Sequence, residues 1–178
     1  KEIQGYLTSG KILDIGCGTG FFLSLAKKKG WIPFGIEVSC IAGEVANQNL
    51  GKNIFIGSWE DFYSPDSFFD VITMFDVLEH IPNLDPFLEK LYKMLAPGGL
   101  LVITTPNTKS FTSWLMGKHW LHYKLEHLYY FSPKTLYIYL NRKGFSILKI
   151  TPARKILNLR YIFNYFQLFK IKFLSGIL

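Results

Sequence analysis

Residues 11–20, KILDIGCGTG, decide the fold of this chain. The apolar run KILDI ends at three glycines that alternate with other residues, and apolar residues at helical spacing follow from Phe21. This order predicts a strand, a tight turn and a helix that begins at the turn. Because the first amides of a helix have no partner within it, the turn can hold a polar or anionic ligand against the backbone.

The spacing of these glycines excludes two common nucleotide-binding loops. A dinucleotide fingerprint, Gly-x-Gly-x-x-Gly, would place its third glycine at Phe21, and the Gly-Lys-Ser/Thr of a P-loop does not follow. Asp14 would repel a pyrophosphate but suits a cationic amine. Glu37, 17 residues after Gly20, ends the predicted second strand, where a carboxylate can accept both hydroxyls of a ribose. The pattern predicts a nucleoside site without a pyrophosphate; the alternative is a purely structural turn.

The remainder of the chain alternates short apolar strands with helices. We predict strands over 11–15, 34–37, 53–57, 70–74, 100–104 and 145–150. Pro33 is placed at the start of the second strand because it lacks an amide donor. Predicted helix caps are Ser39, Asp85 and Ser132, and residues 76–80 form a further helical stretch. This alternation predicts an α/β fold with a mostly parallel, twisted sheet and helices on both faces.

The net charge of +7 on 178 residues is unevenly distributed. Residues 151–178 contain five cations and no acid among many aliphatic and aromatic residues, so they supply +5 of the total. This asymmetry argues against a uniformly basic, nucleic-acid-binding domain. We therefore divide the chain into a domain over 1–150 and a cationic amphipathic tail over 151–178. Such a tail can lie on a membrane, cover a lipid-like acceptor or serve as a packing arm.

Cysteine content and hydropathy define the expected compartment. Cys17 and Cys40 cannot form a disulfide framework, and no apolar run reaches the about 18 residues of a membrane span. A cytoplasmic location is expected, with peripheral membrane attachment through the tail as the alternative. The chain begins at Lys1 without an initiator Met or a signal pattern, which predicts a fragment of a longer protein. The oligomeric state stays open.

A first cluster of titratable residues follows the fourth predicted strand. On a helix, Asp76, Glu79 and His80 stand at i, i+3 and i+4 and can share one face. Three interpretations compete: a metal site, a base or substrate contact at His80, and a structural cap. A hard ion such as Mg²⁺ would accept the two carboxylates more readily than the imidazole.

A second cluster, HWLHYKLEHLYY at 119–130, follows the fifth predicted strand. An inserted segment at this position would reach over the carboxyl edge of the sheet and form an acceptor pocket, with aromatic walls and groups that titrate near neutral pH. We expect His127 to line the site as a candidate catalytic group, with His119 and His122 as weaker candidates. The alternative for each is a histidine bonded only to backbone.

Five motifs, in order, resemble the class I S-adenosylmethionine-dependent methyltransferases. Within this class, the motifs resemble the small-molecule group (type 11/23) that is similar to the ubiquinone-biosynthesis O-methyltransferases. The motifs are LDIGCGTG at 13–20, IEVS at 36–39, FDVITMFDVLEHIPN at 69–83, LAPGGLLVITTPN at 95–107 and HLYYFSPKTL at 127–136. The resemblance implies a Rossmann-like sheet, but no seventh, antiparallel strand is evident after Ile150.

The resemblance also implies which residues bind S-adenosylmethionine. Asp14 and the glycine turn would surround the methionyl part, Phe75 would lie beside it, and Glu37 would bind the ribose. Trp59 and Glu60 would lie near the adenine, although Trp59 could equally be a core anchor. The predicted cofactor site consists of Asp14, Gly16, Cys17, Gly18, Gly20, Glu37, Val38, Trp59, Glu60 and Phe75.

The implied reaction is methyl transfer to a small-molecule acceptor, at oxygen, by in-line displacement. In the resembled quinone methyltransferases an acid-x-x-Glu-His group, as at 76–80, is associated with a divalent metal such as Mg²⁺. The rival classes are an NAD(P)-type oxidoreductase, disfavoured by Phe21, and a noncatalytic nucleoside-binding module. Nucleic acid is an unfavoured partner because residues 73–78, TMFDVL, lack the Asn/Asp-Pro-Pro-aromatic loop of amino-methyltransferases.

Overall fold

The computed structural model describes residues 2–152, which form a parallel five-stranded sheet with the strand order β3-β2-β1-β4-β5. This sheet confirms the predicted α/β, Rossmann-like class. Each βαβ connection returns the chain to the same edge, so all strands end at one edge of the sheet. The strands are β1 (Gly10–Ile15), β2 (Trp31–Glu37), β3 (Ile54–Ile56), β4 (Phe69–Phe75) and β5 (Leu95–Thr104).

Helices cover both faces of the sheet. They are α1 (Phe21–Lys27), α2 (Cys40–Leu50), α3 (Leu84–Met94), α4 (Phe111–Met116) and α5 (Pro133–Arg142), with short 3-10 turns at Ile3–Gly5, Leu78–His80 and Gly117–His119. Successive side chains of β1 point to opposite faces, so Ile12 packs with α1 and α2 while Leu13 packs with α3 and α5. Both faces are therefore apolar, as expected for a parallel sheet.

Two predicted helix caps form as expected. The Ser39 hydroxyl accepts a hydrogen bond from the Ala42 amide at the start of α2. At the start of α5, Ser132 and Thr135 bond reciprocally in a capping box ahead of Pro133. These local devices explain why the sequence located both helices accurately.

The predicted start of α3 was wrong. Asn83 is the N-cap residue, and Asp85 lies inside the helix. Its carboxylate accepts hydrogen bonds from the Tyr139 hydroxyl at 2.8 Å and contacts the Lys143 ammonium at 2.7 Å. Asp85 therefore ties α5 to α3, a long-range role that outweighs its local preference for the cap.

Pro33 was predicted to mark the start of the second strand, but it lies inside β2. The Gly35 amide donates to Asn53 on the β3 side, so the nitrogen two residues earlier faces the same side. Pairing with β3 begins only at Gly35. The missing amide of Pro33 therefore removes no ladder hydrogen bond, and β2 extends back to Trp31.

Residues 145–150 do not form the predicted sixth strand. Phe145 is buried and packs edge-on against Tyr92 at 5.4 Å, and Ile147 contacts the core beneath α3. Within residues 2–152, β5 pairs with β4 alone, so the outer edge of β5 stays open and this segment does not pair with it. Its apolar pattern reflects packing rather than pairing. The predicted tail over 151–178 lies outside the described residues from 153 onward.

In the described part of the chain, no helix has the length and hydropathy needed to cross a bilayer.

Candidate functional site

The glycine turn between β1 and α1 presents its backbone at the carboxyl edge of the sheet. Gly16, Gly18 and Gly20 all have positive φ, at 73°, 54° and 77°. A Cβ at Gly20 would lie 2.7 Å from Leu50 Cδ1, so this glycine allows α1 to approach α2. A Cβ at Gly18 would meet nothing within 4 Å, so the turn leaves an open backbone surface there.

Glu37 projects its carboxylate across this turn. Its Oε2 accepts a hydrogen bond from the Gly18 amide at 2.7 Å, and its Oε1 accepts one from the Ser39 amide at 2.9 Å. The residue is only 9% exposed, and the next residue, Val38, is 71% exposed at the rim of the site. Each carboxylate oxygen has a second lone pair, so the fixed group can still accept two hydroxyls.

Asp14 lies beneath the turn and is 3% exposed. Burial raises the pKa of its carboxyl to about 7; the 2.6 Å hydrogen bond donated by Thr73 opposes this shift, and the nearby Glu37 charge adds to it. Burial, reinforced by Asp14 and Glu37, also raises the pKa of the Cys17 thiol to about 12. Cys17 is therefore a neutral, unreactive wall of the site.

The two predicted aromatic contacts differ in their surroundings. Phe75, at the end of β4, is 38% exposed and meets the ring of Phe22 edge-on at 4.9 Å, so it borders the glycine turn. Trp59 instead packs edge-on against the buried Phe87 at 4.7 Å. Lys90 covers the Trp59 indole, with its ammonium 5.4 Å from the ring centroid. These contacts match the core-anchor interpretation of Trp59.

The predicted helical face of Asp76, Glu79 and His80 does not form. Asp76 has a φ of +57° and its amide donates to the Thr104 carbonyl, so the chain is still leaving the sheet at this point. Only the single 3-10 turn Leu78–His80 follows. Asp76 therefore does not share a helical face with Glu79 and His80.

Glu79 and His80 instead meet His127. One ligand atom from each of these three residues lies within 4.8 Å of the others. Glu79 is fully buried; its Oε2 accepts the Thr105 hydroxyl at 2.9 Å, whereas its Oε1 has no hydrogen-bond partner. His127 is 8% exposed, and its Nδ1 is also buried without a partner. Buried polar atoms without partners are rare, so the pair is arranged for an interaction that the protein alone does not complete.

Backbone contacts hold the inserted segment against this 3-10 turn. The Leu128 amide donates to the Glu79 carbonyl at 2.8 Å, and the His80 Nδ1 lies 2.9 Å from the Glu126 carbonyl. The rings of His80 and His127 meet edge-on at 4.7 Å. Burial lowers the pKa of His127, with the Glu79 charge partly opposing this shift, so the imidazole is neutral at physiological pH.

The other histidines of the second cluster differ in position. His122 stacks on His127 at 6.4 Å, whereas His119 is exposed in the 3-10 turn after α4. Sequence reasoning missed Thr73 and Thr105, whose hydroxyls hold the two buried acids. A hydroxyl residue inside or just after a buried parallel strand was the available signal, because its side chain needs a polar partner there.

Glu79, His80 and His127 together offer one carboxylate and two imidazoles as metal ligands. Mg²⁺ prefers oxygen ligands in an octahedral shell, whereas imidazole suits borderline transition ions. Glu79, His80 and His127 could thus hold a divalent transition metal, but they fit Mg²⁺ poorly.

Together, these features define an α/β domain of the Rossmann-like class with a candidate nucleoside site. The site lies at the carboxyl edge, between a glycine turn after β1 and a buried carboxylate at the end of β2. A family model described as a methyltransferase domain matches residues 6–150. The chain belongs to this family, which confirms the resemblance carried by its motifs.

Curated relatives are ubiquinone biosynthesis O-methyltransferases. The protein of Histophilus somni is 30% identical over 122 residues, covering 62% of this chain and 50% of the relative. That of Chelativorans sp. is 34% identical over 102 residues, covering 54% and 40%. The mitochondrial protein of Rattus norvegicus is 32% identical over 120 residues, covering 62% and 34%. The chain thus spans half or less of the length of these relatives.

Solved structures share the fold. A protein of Thermotoga maritima, described as a possible histamine N-methyltransferase, has a TM-score of 0.64 at 24% identity, covering 82% of this chain and 68% of that one. A methyltransferase of Archaeoglobus fulgidus has a TM-score of 0.67 at 20% identity, covering 96% and 83%. At these identities the likeness concerns the fold alone.

Proposed function

We propose that this protein binds S-adenosylmethionine and transfers its methyl group to an oxygen of a small-molecule acceptor. The observation that carries the proposal is the Glu37 carboxylate, which two backbone amides fix beside the open surface of Gly18. Family membership and the O-methyltransferases among the relatives support the same activity.

The cofactor site is arranged for a nucleoside without a pyrophosphate. Glu37 would accept the ribose hydroxyls, and the exposed Val38 would border the base. Asp14 lies next to Glu37 under the turn, so the site holds two acidic groups that favour a cationic ligand over a phosphate. A sulfonium cofactor supplies both an amine and an intrinsically good leaving group.

The acceptor would enter over Phe75 and the second cluster. We assign His127 as the base that takes the acceptor's hydroxyl proton. The nearby Glu79 carboxylate, one oxygen of which has no hydrogen-bond partner, would stabilise the imidazolium that forms. As the proton moves to His127, the acceptor oxygen forms a bond to the methyl carbon. The bound sulfonium would supply this methyl group, and the electron pair of its S–CH₃ bond would stay on sulfur as a neutral thioether.

A phenolic hydroxyl suits this base best. The cluster borders aromatic side chains, including Tyr130, whose ring centroid is 6.1 Å from that of His127. Aromatic walls favour a flat aromatic acceptor. The relatives' names refer to O-methylation in ubiquinone biosynthesis, which supports an oxygen acceptor.

Calorimetry tests the cofactor assignment. S-adenosylhomocysteine should bind the wild-type chain, and Glu37→Ala should weaken binding by about tenfold or more, equal to about 1.4 kcal/mol. Glu44→Ala is the matched control, because it removes an exposed acid from α2. Equal affinity of the Glu37 and Glu44 variants would refute the ribose contact.

Methyl transfer to catechol tests the reaction itself. Wild-type protein should form methylated catechol, and this activity should persist after the protein is treated with EDTA. Loss of activity in EDTA, with recovery on adding a divalent transition ion, would contradict His127 as the base. It would show instead that the reaction needs a metal, which Glu79, His80 and His127 could hold.

A further inference from the structure

The loop that follows β3, over residues 57–61, lies next to Glu37, and we call it the β3 loop. The last residue of β3, Ile56, pairs with Glu37, and the Gly57 amide donates to the Glu37 carbonyl at 2.9 Å. The glycine turn lies on the other side of β2, after β1. A nucleoside with its ribose on Glu37 and its other end at the glycine turn would therefore extend its base toward the β3 loop.

Lys90 of α3 holds the backbone of the β3 loop. Its ammonium donates to the Trp59 carbonyl at 2.8 Å and to the Glu60 carbonyl at 3.1 Å. The same ammonium lies 5.4 Å from the centroid of the Trp59 indole, which packs on Phe87. A trans peptide unit is planar, so fixing these two carbonyls also fixes the directions of the Glu60 and Asp61 amides.

The ammonium also offsets the negative charge of the β3 loop. Lys90 is half-buried, and burial lowers its pKa, whereas the charges of Glu60 and Asp61 oppose this shift. Both acids are exposed, and the Ser58 hydroxyl contacts the Glu60 carboxylate. An adenine base presents an exocyclic amine as a donor, and ionised carboxylates are acceptors. The β3 loop therefore offers acceptors of the kind that this amine needs.

We propose that Lys90 is a positioning residue for the base of the cofactor. It holds the β3 loop in the conformation that recognises the exocyclic amine of adenine, and it acts through the Trp59 and Glu60 carbonyls rather than by touching the base. The direction of the acceptor decides this recognition, because hydrogen bonds weaken steeply when they are misaligned. The inference rests on the proposed function, since it requires a nucleoside on Glu37.

Calorimetry with two ligands tests the proposal. They are S-adenosylhomocysteine and S-inosylhomocysteine, in which an oxygen replaces the exocyclic amine. Wild-type protein should bind S-adenosylhomocysteine about tenfold or more tightly than S-inosylhomocysteine, because a site that hydrogen-bonds a group rejects the analogue that lacks it. Lys90→Met keeps an unbranched apolar stem and removes the ammonium. It should weaken S-adenosylhomocysteine binding by about tenfold and S-inosylhomocysteine binding by no more than about twofold.

Two further variants separate positioning from a general effect. Lys90→Arg can still donate to two carbonyls, so it should keep the preference for S-adenosylhomocysteine within about threefold of wild type. Lys93→Met removes an exposed cation from the same helix and should bind both ligands like wild type. Lys90→Gln is a second neutral variant that provides the test if Lys90→Met does not fold, as judged by urea unfolding midpoints.

The outcomes distinguish this inference from the proposed function. Binding of S-adenosylhomocysteine that depends on Glu37 but is unchanged in the neutral Lys90 variants would overturn the inference alone. Equal losses for both ligands in those variants would also overturn it, because they would show a purely structural role. A wild-type protein without preference between the two ligands would do the same. Absence of S-adenosylhomocysteine binding by the wild-type protein would overturn the proposed function and this inference together.

Discussion

The two halves of the site differ in how their polar groups are satisfied. On the cofactor side, residues 14–39, both Glu37 oxygens bond to amides no more than 19 residues away. On the acceptor side, residues 75–80 and 105–131, Glu79 receives its hydrogen bond from a residue 26 positions away and retains a buried oxygen without a partner. The Glu37 carboxylate on the cofactor side is thus fixed by two hydrogen bonds, whereas the Glu79 carboxylate on the acceptor side is left with one oxygen unsatisfied.

This difference suggests that the cofactor side determines cofactor affinity, whereas the acceptor side determines the rate of proton transfer. A preformed carboxylate loses little freedom when a ribose arrives, which favours affinity. A buried Glu and His without complete partners favour proton transfer, because each gains an interaction only when the reaction proceeds. Substitutions on the two sides should therefore affect different measurements.

The largest expected effect is on the acceptor side. His127→Asn should lower kcat for catechol methylation by about 10²–10⁴-fold, because the variant has no base. Its affinity for S-adenosylhomocysteine should stay unchanged in calorimetry. His119→Asn, at an exposed histidine, serves as the control and should retain full activity. A parallel loss of cofactor affinity in His127→Asn would remove the distinction between the two sides.

The next effect is on stability, at Asp14. Its pKa rises from an ordinary 3.8 to about 7 on folding, so the folded state binds the proton more tightly, and stability falls as pH rises through this window. Above the window the full cost is on the order of 4 kcal/mol, since each pH unit is worth about 1.4 kcal/mol. Asp14→Asn should retain the Thr73 contact and remove this cost.

Urea unfolding at about pH 5 and about pH 8 measures this directly. The stability gain of Asp14→Asn should be larger at the higher pH, while affinity for S-adenosylmethionine falls. A variant with the same gain at both pH values would show that Asp14 is ionised in the folded protein throughout.

A smaller effect concerns Glu79. Its charge raises the pKa of His127, so Glu79→Gln should move the acidic limb of the kcat/KM pH profile to lower pH. It should also lower kcat by about tenfold, because the imidazolium formed in the reaction loses its partner. Glutamine retains the Thr105 contact, so folding is preserved. Glu44→Gln provides the control, and an unshifted limb in Glu79→Gln would exclude this electrostatic role of Glu79.

The smallest effect is expected at Trp59. Because its indole packs on Phe87, Trp59→Phe should cost about 1–2 kcal/mol of unfolding free energy and leave cofactor affinity within about twofold. Chemical denaturation and calorimetry on the same variant measure both quantities. A tenfold loss of affinity without loss of stability would restore adenine stacking as the role of Trp59.

Local signals explain which parts of the fold could be predicted. The boundaries of α2 follow from the Ser39 cap and Gly51, and those of α5 from its capping box. Pro33 and residues 145–150 were misjudged because strand formation depends on neighbours that the local sequence does not specify. The order of the strands in the sheet determines whether a given residue has a neighbouring strand to pair with.

The same reasoning applies to the site. Glu37 and the glycine turn were found because both lie at fixed positions relative to predicted strands. The grouping of Glu79 with His127 was not predicted, since 48 residues separate them and the contact depends on how the inserted segment folds back. The assumed helix at 76–80 misplaced Asp76, because the chain leaves β4 through a left-handed residue rather than a helical one.

We propose that the turn and Glu37 bind a nucleoside without a pyrophosphate. Competitive titration of the wild-type chain with S-adenosylhomocysteine and NADH tests this assignment. We predict saturable binding of S-adenosylhomocysteine that NADH does not displace. Saturable binding of NADH with no binding of S-adenosylhomocysteine would exclude such a site.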